Sequence, residues 1–137
     1  CENYGLSRGC PPHTVGPEGF RQLLAGYGKA LFFHIEVPGE VLYSSDNREL
    51  FQLLHEVAAG VEGEARKGGY ERAMAFAGDS CKRLFCADDM SCRALLPEGR
   101  CPFAQLARPS MSGFGIDVGQ LVNELLKKDI EMVADLQ

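Results

Sequence analysis

The sequence lacks an apolar run long enough to cross a membrane, and it carries no excess of positive charge. A membrane-spanning helix needs about 18 or more consecutive apolar residues, and no such run occurs. The net charge of −5 and the pI near 5.2 argue against a general nucleic-acid binder. Phosphate-binding, dinucleotide-binding and serine-hydrolase signature motifs are also missing. The sequence therefore favours neither a nucleic-acid partner nor a membrane partner, and it identifies no catalytic residue.

Length and composition predict a single domain over residues 1–137. The apolar content of 45% is ordinary for a globular protein. A chain of this size is expected to bury roughly two-thirds of its unfolded surface, so it needs no disulfide to fold. No signal peptide is visible, and the chain begins at Cys1 without a methionine, which leaves open a preceding N-terminal segment.

Six cysteines are the most informative residues. Four of them form the pattern Cys81-x4-Cys86-x5-Cys92-x8-Cys101, and the other two, Cys1 and Cys10, lie in the turn-rich N-terminal segment. Thiolates are favoured ligands of zinc and of the iron in iron–sulfur clusters. Clustered cysteines in a chain without secretory features indicate a metal more often than a disulfide. The pattern therefore predicts a bound metal centre.

The spacing of the four clustered cysteines helps to choose between metals. Structural zinc sites usually use tight pairs with two intervening residues, and no pair here is that tight. An iron–sulfur cubane is larger than one ion and tolerates wider gaps, and Cys101-Pro102 resembles the ending of bacterial ferredoxin motifs. The spacing favours a [4Fe-4S] cluster. Zinc, disulfides and unliganded thiols are the alternatives.

Basic side chains accompany the clustered cysteines and are expected to offset the negative charge of the thiolates. Residues 81–108 carry a local charge of +2 in a chain of −5. Arg108 is the strongest candidate because Pro109 favours an extended backbone that can direct the arginine across the loop. We expect Arg108 to donate hydrogen bonds to cluster sulfur or to a ligand-bearing turn, the alternative being hydrogen bonds to loop carbonyls. The basic residues concerned are Lys82, Arg83, Arg93, Arg100 and Arg108.

Three helices are predicted from start and stop signals. The first begins at Pro17 and ends by Gly28. The second begins after Asp46, with Glu49 completing a capping box, and ends at Gly68-Gly69. The third is capped by Asp117. Each carries apolar residues at helical spacing.

Strands are predicted between these helices. Residues 30–37 form an apolar run that favours a buried strand, with shorter strands at 41–43 and 72–77. Residues 78–116 are predicted to form a long cysteine-rich loop that needs an organising centre. The expected fold is α/β or α+β: a small sheet flanked by about three helices, with that loop binding metal.

The three histidines are assigned weaker roles. His34 is expected in the core or on a sheet face, and His55 is expected to face solvent. His13 follows Cys10 closely and could join Cys1 and Cys10 at a second site, although a surface position is the simpler interpretation.

Several short motifs resemble a prokaryotic family of unknown function whose members are labelled predicted metal-binding proteins. The resemblance spans residues 1 to about 125. It rests on Tyr4-Gly5, Cys10-Pro11-Pro12, Pro17-Glu18, the cysteine cluster, Cys101-Pro102, Ala107-Arg-Pro-Ser-Met111 and Gly115-Ile-Asp-Val118. The family is common in anaerobic bacteria and archaea, which implies an oxygen-sensitive cluster in the cytoplasm.

The resemblance implies a set of site residues. It carries over Cys81, Cys86, Cys92 and Cys101 as metal ligands, with Cys1 and Cys10 as further ligands. Residues 108–111 and 115–118 would form the wall beside the metal, which makes Arg108 and Ser110 candidate cofactor-binding residues.

The predicted function is a [4Fe-4S] protein that transfers electrons, or that serves as a cluster-bearing partner of an anaerobic enzyme. A protein redox partner is therefore expected. Two alternatives stand beside it: a zinc-stabilised structural or interaction module, and an enzyme whose cluster has an open iron.

Overall fold

The computed structural model describes the backbone of residues 1–135 and the side chains of residues 1–127, and the described chain is helical. Two short 3-10 turns, at Arg93–Leu95 and Ser112–Phe114, interrupt the irregular segments. The five helices in chain order are α1 (Gly16–Leu24), α2 (Gly39–Leu42), α3 (Asn47–Lys67), α4 (Cys81–Phe85) and α5 (Val118–Asp135). None of the helices searched in the described residues is long and apolar enough to cross a membrane.

The predicted α/β or α+β fold, with its small sheet, is wrong. Within residues 1–135, strand-type pairing is confined to one isolated parallel bridge between Ala77 and Ser110. Residues 30–37 form no strand, and they leave Leu31 76% and Ile35 40% exposed. A strand is stable only when its backbone groups pair with a neighbour, and no neighbouring strand is present in this part of the chain. Residues 41–42, predicted to be a strand, belong to α2 instead.

The three predicted helices are confirmed close to their expected ends. Helix α1 carries Pro17 in its first turn, and α3 lies between Asp46 and Gly68. Asp46 makes no side-chain capping hydrogen bond, so the expected capping box is absent. At the start of α5 the cap does form, because the Gln120 backbone N donates to Asp117 Oδ1 at 2.9 Å. Local start and stop signals therefore placed these helices well.

An aromatic triangle ties α1 to the two ends of the cysteine-rich segment. Phe20 of α1 meets Phe76 and Phe114 edge to face, with ring centroids 5.4 and 5.6 Å apart, and Phe76 lies 4.9 Å from Phe114. Such edge-to-face pairs add to the stability gained by burial. The triangle fixes α1 beside the segments that enter and leave the cysteine loop.

The folded chain exposes more surface than its size requires. Its accessible surface is 9834 Å², whereas a compact protein of 15.0 kDa exposes about 7,000 Å². The expectation that roughly two-thirds of the unfolded surface is buried is therefore too high for this chain.

Candidate metal centre

Helix α4 positions Cys81, the first clustered cysteine, against the longest helix. The carbonyl of Leu84 in α4 accepts hydrogen bonds from Arg48 Nη2 at 2.8 Å and Gln52 Nε2 at 2.7 Å, both from α3. The Leu84 side chain is fully buried. Because a helix this short is not stable alone, these contacts with α3 hold α4 in place. They also fix Cys81, which lies in its first turn.

The two ends of the cysteine loop, residues 78–116, lie side by side. The Ala77 backbone N donates to the Pro109 carbonyl at 3.0 Å, and the Met111 backbone N donates to the Ala77 carbonyl at 3.2 Å. These two bonds form the isolated bridge between Ala77 and Ser110. The bridge closes the loop at a single point, so all four clustered cysteines lie within one closed segment.

A buried histidine reinforces this closure. His55 of α3 is 0% exposed, so the expectation that it faces solvent is wrong. Its Nδ1 accepts from the Arg108 backbone N at 3.0 Å, and its Nε2 lies 3.0 Å from the Gly78 carbonyl. A backbone N–H can only donate, so Nδ1 is unprotonated and Nε2 carries the proton. We call this pair of bonds the His55 bridge. His34, expected in the core, lies half-exposed beside Glu36 instead.

The His55 bridge predicts a loss of stability in acid. Burial lowers the pKa of His55 below its usual value, and the hydrogen bond to Gly78 opposes this only in part. The folded protein therefore stays neutral at His55 while the unfolded chain binds a proton. Stability is full above a pH of about 6.5 and falls below it, by up to about 1.4 kcal/mol per pH unit, until the pH reaches the folded pKa.

Urea unfolding of the wild type and of His55→Gln between neutral and acidic pH measures this effect. The difference in unfolding free energy between the two should shrink as the pH falls through that window. His34→Gln, at the exposed histidine, should keep the wild-type pH dependence. A wild-type-like pH dependence in His55→Gln would show that the bridge does not titrate as stated.

The N-terminal loop docks on the outgoing end of the cysteine loop. Gly9 packs so closely on Pro109 that an added Cβ would lie 3.2 Å from the Pro109 Cα. Thr14 Oγ1 donates to the Gly113 carbonyl at 2.7 Å, and a Cβ on Gly113 would lie 2.9 Å from the Gly9 carbonyl oxygen. This docking buries Cys10, which is only 5% exposed. Pro109, in the wall expected from residues 108–111 and 115–118, therefore contacts the N-terminal loop, as does Gly113 between the two blocks.

Cys81 lies within a group of mutually interacting thiols. Burial is the main cause that raises the pKa of the Cys81 thiol to about 11, and a hydrogen bond with Ser7 opposes that rise. Negative charge on Cys10, Cys101 and Cys92 raises the same pKa further. Charge effects of this kind act over short distances in a protein. Cys10 Sγ also lies 3.5 Å from the Oγ of Ser80, which directly precedes Cys81, so Cys10 lies beside the start of α4 although it is far away in the chain.

Cys86 interacts with two of the same cysteines. Burial raises the pKa of the Cys86 thiol, and charge on Cys101 and Cys92 adds to the rise. Cys92 and Cys101 thus act on both Cys81 and Cys86. We call the five residues Cys10, Cys81, Cys86, Cys92 and Cys101 the thiol cluster. Cys1, by contrast, is exposed.

The thiol cluster forms no preassembled site for a single metal ion among the residues searched. In the residues searched, no three side chains of the ligand types His, Cys, Asp and Glu converge closely enough to hold a single metal ion. Around one zinc ion every sulfur would lie about 2.3 Å from the metal.

Lys82 is a buried cation at the edge of this cluster. It is 8% exposed, and its Nζ donates to the carbonyls of Cys86 and Asp89, the latter at 2.6 Å. Its positive charge lowers the pKa of the Cys86 thiol against the effect of burial. Lys82 thus fixes the turn that carries Cys86 and offsets part of the thiolate charge.

Three of the four arginines predicted beside the metal are paired with carboxylates. Arg108 Nη2 donates to Glu62 Oε1 at 3.2 Å, and the Arg108 Nε lies 3.1 Å from Glu62 Oε2 without a well-aligned hydrogen bond. Arg108 Nη1 donates to the carbonyls of Ala104 and Ala107 at 3.2 and 2.9 Å. Arg83 pairs with Asp79, and Arg93 lies 3.6 Å from Asp89. Direct contact of Arg108 with the cofactor stays a prediction.

Ser110 and His13 have structural positions of their own. Ser110 forms the isolated bridge with Ala77, and its carbonyl accepts from the Gly113 backbone N at 3.1 Å. His13 Nε2 lies 3.2 Å from the Gly5 carbonyl, which places it within the N-terminal loop. These contacts do not test whether Ser110 binds a cofactor or whether His13 binds a metal.

Sequence reasoning missed several residues that shape this centre. A lone Ser, Lys or Glu gives no local signal, so their positions depend on tertiary contacts that spacing does not reveal. One signal was available: Ser80 directly precedes Cys81 at the start of α4, where a hydroxyl is common. The missed residues are Ser7, His55, Glu62, Ser80 and the buried state of Lys82.

A comparison with protein families finds one described as "Predicted metal-binding protein (DUF2284)", which matches residues 1–136. No curated protein and no solved structure matches the chain.

Proposed function

The chain belongs to this family of predicted metal-binding proteins, and from that premise we propose that it is a cytoplasmic iron–sulfur protein. Thiolates of the thiol cluster would hold a [4Fe-4S] cluster, with Cys81, Cys92 and Cys101 in the ligand set. Cys86 and Cys10 compete for the fourth position, because both belong to the same group of interacting thiols.

The observation that carries this proposal is that thiols from the N-terminal loop and from the cysteine loop lie near one another. Cys10, Cys92 and Cys101 act on the Cys81 thiol, and Cys92 and Cys101 also act on the Cys86 thiol. A cubane spreads its four iron corners and needs its thiolates farther apart than one zinc ion does. Lys82, buried at the cluster edge, supplies positive charge that favours thiolate over thiol.

When bound, such a cluster would supply one-electron redox chemistry. The protein's part is to hold the sulfurs, limit their contact with water and receive a partner. Met90 and Leu96, on either side of Cys92, are 104% and 51% exposed. Exposed apolar residues beside a redox site favour close approach of another protein, so the proposed partner is a protein that exchanges electrons with the cluster.

Metal analysis of protein purified without oxygen tests the proposal. Iron and acid-labile sulfide should be present in similar amounts, with broad visible absorption that bleaches on reduction. Cys1→Ser, at the exposed cysteine, is the matched control and should keep the full metal content. Stoichiometric zinc without iron would replace the proposal with a zinc-stabilised module.

A further inference from the structure

Two buried serines and two cysteines form a crossed arrangement. The hydroxyl of each serine acts on the thiol of one cysteine, while the serine itself is close in sequence to the other cysteine. Ser80 directly precedes Cys81, and its Oγ lies 3.5 Å from Cys10 Sγ. Ser7 lies three residues before Cys10, and its hydroxyl acts on the Cys81 thiol without forming a well-aligned hydrogen bond. Ser7 is 0% and Ser80 4% exposed. The arrangement is reciprocal and excludes water from both hydroxyls.

Neither hydroxyl is used by the backbone. Ser80 occupies the N-cap position of α4, yet it makes no side-chain capping hydrogen bond. Ser7 Oγ has no partner of good hydrogen-bond geometry among the described residues, even though Cys81 is close enough to be affected by it. A buried hydroxyl without an acceptor is unfavourable. Ser7 Oγ therefore lacks a good hydrogen-bond acceptor while Cys81 is a neutral thiol.

A thiolate at Cys81 would supply the missing acceptor. A neutral thiol is a weak acceptor, whereas an ionised sulfur accepts a stronger, charge-assisted hydrogen bond. Metal ligation requires the thiolate form. The two hydroxyls are thus arranged for the state in which Cys81 and Cys10 are bound to metal.

We infer that Ser7 and Ser80 are positioning residues that donate hydrogen bonds to metal-bound thiolates of Cys81 and Cys10, and that Cys10 is the fourth ligand. This rests on the proposed function and deepens it. Of the two competing cysteines, Cys10 is buried and held by a serine, whereas Cys86 is less buried and lies by the Lys82 turn. Hydrogen bonds to sulfur favour the more negative state of a cluster and so raise its reduction potential.

Serine variants of the metal-loaded full chain test the donor role. Ser7→Ala and Ser80→Ala should each release metal to a chelator about 10- to 100-fold faster than wild type. Each should also shift the reduction potential of a bound cluster to a more negative value. Ser80→Thr keeps a hydroxyl and should restore both properties. Ser91→Ala is the matched control, because Ser91 also directly precedes a cysteine but is exposed.

The metal-free state separates this role from a purely structural one. Ser7→Ala should leave the unfolding free energy of the metal-free protein unchanged or higher, since its hydroxyl has no good partner there. Equal destabilisation of the metal-free and loaded forms would overturn the inference, as would wild-type release rates in either serine variant.

Cysteine variants test the ligand choice. Cys10→Ser should lose most of the bound metal, whereas Cys86→Ser should retain most of it, and the reverse result would overturn the assignment of Cys10. These outcomes remain readable if the metal is zinc, because release rates and metal content need no redox signal. Failure of the iron–sulfur proposal is then detected separately, by the iron and sulfide analysis.

Discussion

Replacing Glu62 with alanine should cost about 3–5 kcal/mol of unfolding free energy, which is a large share of the stability of a small domain. Glu62 is 8% exposed and accepts a hydrogen bond from the Ala75 backbone N at 2.8 Å. It also pairs with Arg66 at 3.1 Å and with Arg108. Its loss would leave the Arg108 guanidinium, only 13% exposed, without its counter-charge.

Glu64→Ala is the matched control for this change. Glu64 lies two residues along the same helix and pairs with Lys67 at 2.7 Å, but its side chain is 74% exposed. An exposed pair of this kind contributes about 0–1 kcal/mol. Urea unfolding of the two variants measures the difference. If the two alanine variants unfolded within about 1 kcal/mol of each other, the buried ion pair would not stabilise the fold in the way argued.

Replacing Cys92 or Cys101 with serine should remove the metal almost completely. Negative charge on these two cysteines raises the pKa of both the Cys81 and the Cys86 thiol, so they lie near both. Losing a ligand should lower the metal content by more than the roughly 10- to 100-fold effect typical of residues that only support ligands. Metal content per folded protein measures this, with circular dichroism confirming that the helices persist.

Cys1→Ser sets the baseline for this series, since Cys1 is exposed. The strongest evidence against the centre would be full metal content in both Cys92→Ser and Cys101→Ser. If one variant lost only part of its metal while the other lost nearly all of it, the first residue would lie at the edge of the ligand set and the second at its centre.

Helices were predictable from the sequence because their signals are local. Asp117 sits three residues before the backbone N that it caps, and Gly68 directly follows the last residue of α3. The sheet was wrongly predicted because an apolar run such as residues 30–37 specifies a strand only if a partner strand exists. Pairing is a long-range property that periodicity does not encode. His55 was misassigned for the same reason, as its partners lie far along the chain.

The density of cysteines in residues 81–101 pointed to the candidate centre directly. Only the family resemblance implied that Cys10 joins the clustered cysteines. The residues alone did not show it, because its approach depends on the close packing of Gly9 on Pro109 and on the hydrogen bond from Thr14 to Gly113. Basic residues were expected to face the metal on grounds of net charge. Counting charges does not show that Glu62 engages Arg108, or that Lys82 turns inward to loop carbonyls.

Because the His55 bridge holds both Gly78 and Arg108, the segment between them can change in length without changing where it enters and leaves the fold. Its two ends are anchored to one imidazole on α3, so changes of length inside it need not move any helix outside. Lengthening a closed loop is inexpensive, at about 0.6 kcal/mol for each doubling. A chain with a residue added or removed between its clustered cysteines can therefore keep the same helical frame while presenting differently spaced sulfurs.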